Sequence, residues 1–183
     1  MILTEVDMVY TALGQLLDYP HEDVSPKIEE AIKLLDKENY PPEFSSELRE
    51  FLNKIKEISL DDLQGLYSYT FEFSSDLTLD LGYHTLEGFN RAQNLVNLKE
   101  MYKDKGFPYD TIAKGELPDH LAIVLKFLGF IEDEQLKIDF RESFVIKTLE
   151  KLSKSFEKNQ ENPYFHLIRV IYRVLDKDIK EVK

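Results

Sequence analysis

Apolar residues recur at helical spacing along most of the chain. Near the start they are separated by three or four positions, at Leu3, Val6, Tyr10, Leu13 and Leu17. This spacing is the apolar stripe of an amphipathic helix. The predicted helix ends before Pro20, because a residue that precedes proline avoids the helical region of backbone space.

The same spacing predicts a series of further helices. They are expected over residues 25–35, 45–57, 90–105, 118–129, 133–158 and 163–175, and a further helix is expected to begin at Ser59. Ser25 and Ser59 are predicted N-caps, Pro26 suits a first turn, and Gly106 suits a C-cap. The fold class is therefore predicted to be all-α, with residues 1–183 forming one helical bundle of about eight helices. The charged tail after about residue 176 is expected to fray.

Residues 71–89 give the weakest signal. Leu77, Leu79 and Leu81 alternate as in a β-strand, but one short strand without a partner is not stable by itself. We therefore predict an irregular helical connection here.

The junction at residues 114–121 joins polar residues to an apolar helix. Gly115 is expected in a loop before the helix, and Pro118 is expected in the first helical turn. Glu116 and Asp119 place negative charge at the positive end of the helix dipole, with His120 directly after them. Such an Asp-His pair is either part of a site or a structural clamp, and the residues alone leave both readings open.

Composition limits the class of protein. The chain of 183 residues is 43% hydrophobic and 32% charged, as in ordinary soluble domains. No apolar run approaches the roughly 20 residues that span a bilayer, so stable membrane insertion is not expected. The first residues lack the basic region of a signal peptide, which predicts a cytoplasmic protein. The chain has no cysteine, which excludes disulfides and thiolate metal sites.

Charge points to the kind of partner. The formal net charge of −12 argues against nucleic acid, which requires a basic footprint. Between Glu57 and Asn90 there is no lysine or arginine, and acidic residues alternate with aromatic ones. That mixture suits a cationic, partly apolar peptide. The alternative is a solvated acidic face above an aromatic core.

Motifs for catalysis or cofactors are weak. The four histidines, His21, His84, His120 and His166, share no i, i+3 or i+4 spacing, so no helical metal site is predicted. Neither a phosphate-binding loop nor a Gly-x-Ser-x-Gly elbow is present. No cofactor and no enzymatic activity are therefore predicted. One alternative remains, a small metal-assisted hydrolase centred on Asp119 and His120; another is a non-catalytic helical scaffold.

Several ordered motifs resemble a known family. They are Leu16-Leu17-x-Tyr19-Pro20, Tyr67-x3-Phe71-Glu72, Leu79-x-Leu81-x-Tyr83-His84, Arg91, Leu98-x3-Tyr102-x3-Gly106-Phe107 and Glu116-Leu117-Pro118-Asp119-His120-Leu121-x2-Val124-Leu125. Over roughly residues 5–130, the chain resembles the NarJ-type nitrate reductase assembly chaperones of the TorD-like group of redox-enzyme maturation proteins. The run from Glu116 to Leu121 is the specific part of this resemblance.

The resemblance implies a cytoplasmic, all-helical chaperone. Such a protein binds the basic or twin-arginine-like N-terminal segment of the catalytic subunit of a molybdopterin oxidoreductase and assists molybdenum cofactor insertion. The client is expected to be nitrate reductase; enzymes for selenate, chlorate, dimethyl sulfoxide or another acceptor remain open. The chaperone is expected to be a monomer or a domain-exchanged dimer. The client-binding residues that the resemblance implies are Asp119, His120, Glu116, Tyr67, Phe71, Glu72, Tyr83 and Arg91.

Overall fold

Helices account for nearly all regular structure in the computed structural model, which describes the chain from residue 5 to residue 182 and its side chains from residue 8 onward. The α-helices are α1 (Glu5–Gln15), α2 (Ser25–Lys37), α3 (Pro42–Ile55), α4 (Leu60–Tyr67), α5 (Gly88–Asp104), α6 (Tyr109–Ile112), α7 (Leu121–Leu128), α8 (Glu134–Phe140), α9 (Ile146–Phe156) and α10 (Tyr164–Val182). Leu3 of the predicted first stripe lies outside the described residues.

The predicted fold class is confirmed. Within residues 5–182, α6 is a single turn, and α8 and α9 continue one another through a π-helical turn at Arg141–Val145. Eight substantial helices therefore remain, as the sequence predicts. The strongly apolar α7 lies at the centre, where every residue except Lys126 is buried. It packs against α1, while α10 packs against α3 and α9. No helix in the described part is long and apolar enough to cross a membrane.

Helix ends test the local predictions. The Ser59 hydroxyl accepts a hydrogen bond from the Asp62 N–H at 3.2 Å and caps α4, as predicted. Gly106 follows α5 with a φ of +73°, which confirms the predicted C-cap. The prediction that Ser25 caps α2 is wrong, because the N-cap position is Val24 and makes no side-chain bond.

The prediction of a frayed C-terminal tail is also wrong. Helix α10 runs to Val182, with Asp178 and Ile179 both buried. The Asp178 carboxylate accepts hydrogen bonds from the hydroxyls of Tyr10 at 2.5 Å and Tyr40 at 2.9 Å. These bonds fix the last turns of α10 against the start of the chain, so the charged sequence there does not imply disorder.

The junction before α7 differs from the prediction in one respect. The helix begins at Leu121 with His120 as its N-cap. Pro118 therefore precedes the helix, and its predicted place in the first turn is wrong. Its carbonyl instead accepts a hydrogen bond from the buried Tyr102 hydroxyl at 2.7 Å, so Pro118 belongs to a fixed loop.

Candidate functional site: an acidic cleft

The segment with alternating leucines pairs with the junction before α7. The Leu81 N–H donates to the Asp119 carbonyl at 3.0 Å, and the Leu121 N–H donates to the Leu79 carbonyl at 2.8 Å. Asp80 and His120 thereby face each other in an isolated antiparallel bridge. The prediction of an irregular helical connection missed this extended pair. Short helical turns, Ser75–Leu77 and Leu81–His84, flank it as expected.

Asp119 lies beneath this pairing and is fully buried. Its Oδ2 accepts a hydrogen bond from the Gly82 N–H at 2.9 Å and lies 3.8 Å from the Arg91 Nε. Its Oδ1 is buried without a hydrogen-bond partner among the described residues. Burial, and then the nearby Asp80 carboxylate, raise the pKa of Asp119 to about 6, against the opposing effects of Arg91 and the Gly82 N–H.

His120 is 6% exposed and has one nitrogen engaged. Its Nδ1 accepts a hydrogen bond from the Ala122 N–H at 3.3 Å, which caps α7. Burial, and then the charge of Lys126, lower the pKa of His120 to about 4. The ring is therefore neutral near pH 7, and since Nδ1 accepts, the ring proton is on Nε2. That nitrogen lies 3.7 Å from the Glu116 Oε2.

Two cavities, of 230 Å³ and 160 Å³, open beside His120. The residues that line both are Tyr67, Glu72, Glu116 and His120. We call the two cavities together the acidic cleft. All four shared residues belong to the set implied by the family resemblance, so the fold brings these sequence-distant residues to one place.

Aromatic rings form one wall of the acidic cleft. Tyr67 packs edge-on against Tyr19 and Phe71, with ring centroids 5.4 Å and 5.0 Å apart. The Tyr67 hydroxyl donates to the Leu17 carbonyl at 2.8 Å, which fixes the ring. Directly after Tyr67, the helix widens into a π-helical turn at Ser68–Glu72. Such turns are frequent at functional sites, and this one places Glu72 at the cavity wall.

Four carboxylates line the cleft: Asp18, Glu72, Asp80 and Glu116. Asp18 is paired with the Lys126 Nζ at 2.6 Å, and Asp80 lies 3.5 Å from the Arg91 Nη2. Within the described part of the chain, neither Glu72 nor Glu116 forms an ion pair with a lysine or arginine.

The Glu116 carboxylate lies close enough to the other three carboxylates to interact with them electrostatically. Burial raises the pKa of Glu116, and the neighbouring charges of Asp80, Glu72 and Asp18 raise it further. Lys114 is the one lysine or arginine among the described residues that line the larger cavity. The acidic cleft therefore favours a cationic group that would offset the repulsion among its carboxylates.

The other predicted site residues lie around the cleft. Phe71 lines the smaller cavity. Asp119 lies behind the bridge between Asp80 and His120 and lines neither cavity. Arg91 lies between Asp80 and Asp119, and its guanidinium is 5.7 Å from the ring centroid of Tyr83. Tyr83 is half-exposed and lies outside both cavities.

Some cleft residues were missed in the sequence. Asp18 and Tyr19 come from the loop after α1, and Asp80 from the extended segment. The motif at Tyr19-Pro20 and the alternation around Asp80 were visible signals. Their meaning depends on long-range contacts that local patterns do not encode. Among the described residues there is no group of three or more histidine or acidic side chains suited to a metal ion.

The helical architecture is shared with a solved protein structure. A crystal structure described as a redox enzyme maturation protein from Archaeoglobus fulgidus has a similar fold, with a TM-score of 0.62 at 21% identity over 96% of each chain. At that identity the similarity shows the fold alone. A comparison with curated proteins found no significant match in sequence.

The family follows from a sequence model. Residues 37–168 match the model of the nitrate reductase delta subunit, and the chain belongs to this family. The resemblance seen in the sequence is thereby confirmed, although its range differs. The match extends into α10, beyond the expected limit near residue 130, and it does not include the Tyr19-Pro20 motif. Membership of this family supports a chaperone role in redox-enzyme maturation.

Proposed function

We propose that this protein is a chaperone whose acidic cleft binds the basic N-terminal segment of the catalytic subunit of a molybdopterin-dependent oxidoreductase, with nitrate reductase as the client. It holds that subunit while the molybdenum cofactor is inserted. The family supports the role in maturation. The residues that line the cleft support the chemistry of the client segment. A cytoplasmic location and a monomer or domain-exchanged dimer stay predictions.

The single observation that carries the client assignment is the uncompensated Glu72–Glu116 pair. Both carboxylates line both cavities, beside the rings of Tyr67 and Phe71. A guanidinium or ammonium group entering there gains two carboxylate partners. The aromatic faces meanwhile accept its methylene groups and its cation. The Nε2–H of His120 is available to a carbonyl oxygen of the same segment.

Calorimetric titration tests this proposal. The probe is a synthetic peptide of the N-terminal segment of the nitrate reductase catalytic subunit from the same organism. We expect binding that weakens with salt, because exposed charge pairs are screened. The double variant Glu72→Gln/Glu116→Gln is expected to lose roughly tenfold or more in affinity.

The matched control is Glu57→Gln/Glu87→Gln, which changes the net charge equally at two exposed positions of the same acidic stretch. Its affinity should stay within about twofold of the wild type. Equal losses of affinity in both double variants would show that the overall charge of the protein, and not the cleft, determines binding. Binding that ignores both salt and the cleft substitutions would contradict the proposed site.

A further inference from the structure

Asp119 is part of the most specific motif in the sequence, yet it has no access to the acidic cleft. It is fully buried and lines neither cavity. Its bonded partner is the backbone of the opposite segment, through the Gly82 N–H at 2.9 Å. A direct contact with a client is therefore not what this geometry provides.

Asp119 and Gly82 fit each other closely. A Cβ atom added at Gly82 would lie 2.6 Å from the Asp119 Oδ2, closer than real contacts allow. The next nearest atom, the Arg91 Cγ, would be at an ordinary 3.6 Å. Gly82 is not among the positive-φ residues. The requirement for glycine here thus comes from the carboxylate and not from the backbone conformation.

This pair holds one wall of the cleft. The bond to Gly82 lies beside the backbone bonds that join Leu81 to Asp119 and Leu121 to Leu79. The residues just before Gly82, namely Thr78, Leu79 and Asp80, line the smaller cavity. A second tie, between the His84 Nε2 and the Thr78 carbonyl at 2.8 Å, closes this loop on itself. The loop's position relative to His120 therefore depends on Asp119 and the adjacent backbone bonds.

We propose that Asp119 is a positioning residue: with Gly82 it fixes the wall formed by Thr78, Leu79 and Asp80, and so sets the shape of the acidic cleft without touching the client. This inference rests on the proposed function for its effect on binding. Its structural part, the tie between Asp119 and the Gly82 amide, can be measured without any client.

The binding experiment uses the same synthetic peptide in calorimetry. Asp119→Asn keeps an oxygen that can accept from the Gly82 N–H, so its affinity should stay within about twofold of the wild type, whereas Asp119→Ala should lose roughly tenfold. Gly82→Ala should also lose affinity because of the clash. In the Asp119→Ala background the clash is absent, so Gly82→Ala should add little further loss.

The matched control is Gly65→Ala in α4, where an added Cβ meets no atom within 4 Å. Its affinity should be unchanged. Urea unfolding of every variant identifies those that remain folded. Because Asp119→Asn has nearly the same shape as the wild type, it can still be tested if Asp119→Ala does not fold. A loss in Asp119→Asn equal to that in Asp119→Ala would mean that the charge itself acts on the client. If the affinity losses of Asp119→Ala and Gly82→Ala multiply in the double variant, the proposal is also overturned.

Amide hydrogen exchange without peptide separates this inference from the proposed function. Exchange at the Gly82 N–H should accelerate in Asp119→Ala and stay near the wild-type rate in Asp119→Asn. An unchanged rate in Asp119→Ala would overturn the positioning role even if peptide binding falls. Should the wild type bind no peptide, the client assignment fails, and the exchange rates alone still decide whether Asp119 holds the wall.

Discussion

Two buried aspartates, Asp119 and Asp178, have different environments. Asp178 accepts hydrogen bonds from the hydroxyls of Tyr10 and Tyr40, and the Arg141 Nη1 in turn donates to the Tyr10 hydroxyl at 2.7 Å. Both Asp178 oxygens have partners. Burial still raises the pKa of Asp178, while the tyrosine hydroxyls and Arg141 oppose the shift. The Asp178 cluster joins α1, the loop between α2 and α3, the π-helical turn after α8, and α10.

Asp119 has fewer partners. Among residues 5–182, one Asp119 oxygen accepts a backbone N–H, the other has no hydrogen-bond partner, and the nearest cation is 3.8 Å away. Asp119 is bonded to the segment that forms one wall of the acidic cleft, whereas no residue of the Asp178 cluster lines either cavity. The comparison teaches that a satisfied buried carboxylate serves stability. A sparsely satisfied one beside a cleft positions a functional wall at some cost in stability.

The largest effect is expected for Asp178→Ala. Two tyrosine hydroxyls would lose their acceptor and Arg141 would lose its charge partner inside the core. We therefore expect the free energy of unfolding to fall by about 3–5 kcal/mol, measured by urea denaturation. The affinity for the client peptide should not change in protein that remains folded. If Asp178→Ala weakens peptide binding but leaves stability intact, the assignment of a stabilising role to Asp178 and a positioning role to Asp119 is contradicted.

The second prediction concerns pH and the neighbours Asp119 and His120. The raised pKa of Asp119, about 6, means that the folded state holds more protons than the unfolded state from about pH 4 to 6. Its contribution to stability is then lost as pH rises through 6. The lowered pKa of His120, about 4, acts oppositely, so stability is gained as pH rises from 4 to 6.5. Each effect is at most about 3 kcal/mol, and in the wild type they largely cancel.

Single substitutions should reveal how Asp119 and His120 each change the free energy of unfolding with pH. Relative to the wild type, Asp119→Asn should become more stable as pH rises from 4 to 6.5. His120→Asn, which keeps a capping side chain for α7, should become less stable over the same range. The measurement is urea unfolding at half-unit pH intervals, each variant subtracted from the wild type. If the difference in free energy of unfolding from the wild type changes with pH in the same direction for both variants, these protonation states are contradicted.

The smallest effects are expected for the two tyrosines that bond to Asp178. Tyr40→Phe removes one hydroxyl and should cost about 1 kcal/mol. Tyr10→Phe should cost more, because the Tyr10 hydroxyl both donates to Asp178 and accepts from Arg141. Thermal and urea unfolding of the two variants measure the difference. Equal costs would show that the Arg141 bond contributes nothing to the cluster.

Much of the fold could be predicted from the sequence because its signals are local. The Ser59 cap, the Gly106 C-cap and the apolar helix that ends just before Gly129 each depend on a few neighbouring residues. The prediction for the C-terminal tail failed because the tail is held by hydrogen bonds to Tyr10 and Tyr40, which are distant in sequence. The charged residues of that tail gave no sign of such an anchor.

Part of the candidate site could also be recognised from local signals in the sequence, and its role in client binding stays a prediction. Acidic and aromatic residues around Tyr67 and Glu72 stood out by composition, and the motif supplied Glu116 and His120. The partner of the extended segment at Leu79–Leu81 is a long-range pairing, so local alternation showed a strand without showing its neighbour. The burial of Asp119 follows from that pairing, and sequence alone could not distinguish its role from that of His120.

A charge-exchange titration tests the central claim, client capture by the acidic cleft, most directly. Glu116→Arg should bind the client peptide poorly, because a cation then occupies the cleft. Peptides in which each arginine or lysine is replaced in turn by glutamate should likewise bind the wild type poorly. The account predicts that one such peptide regains affinity for Glu116→Arg, by roughly tenfold over either mismatched pair. If no peptide position gives this recovery, the basic segment does not bind at Glu116, and the account is contradicted.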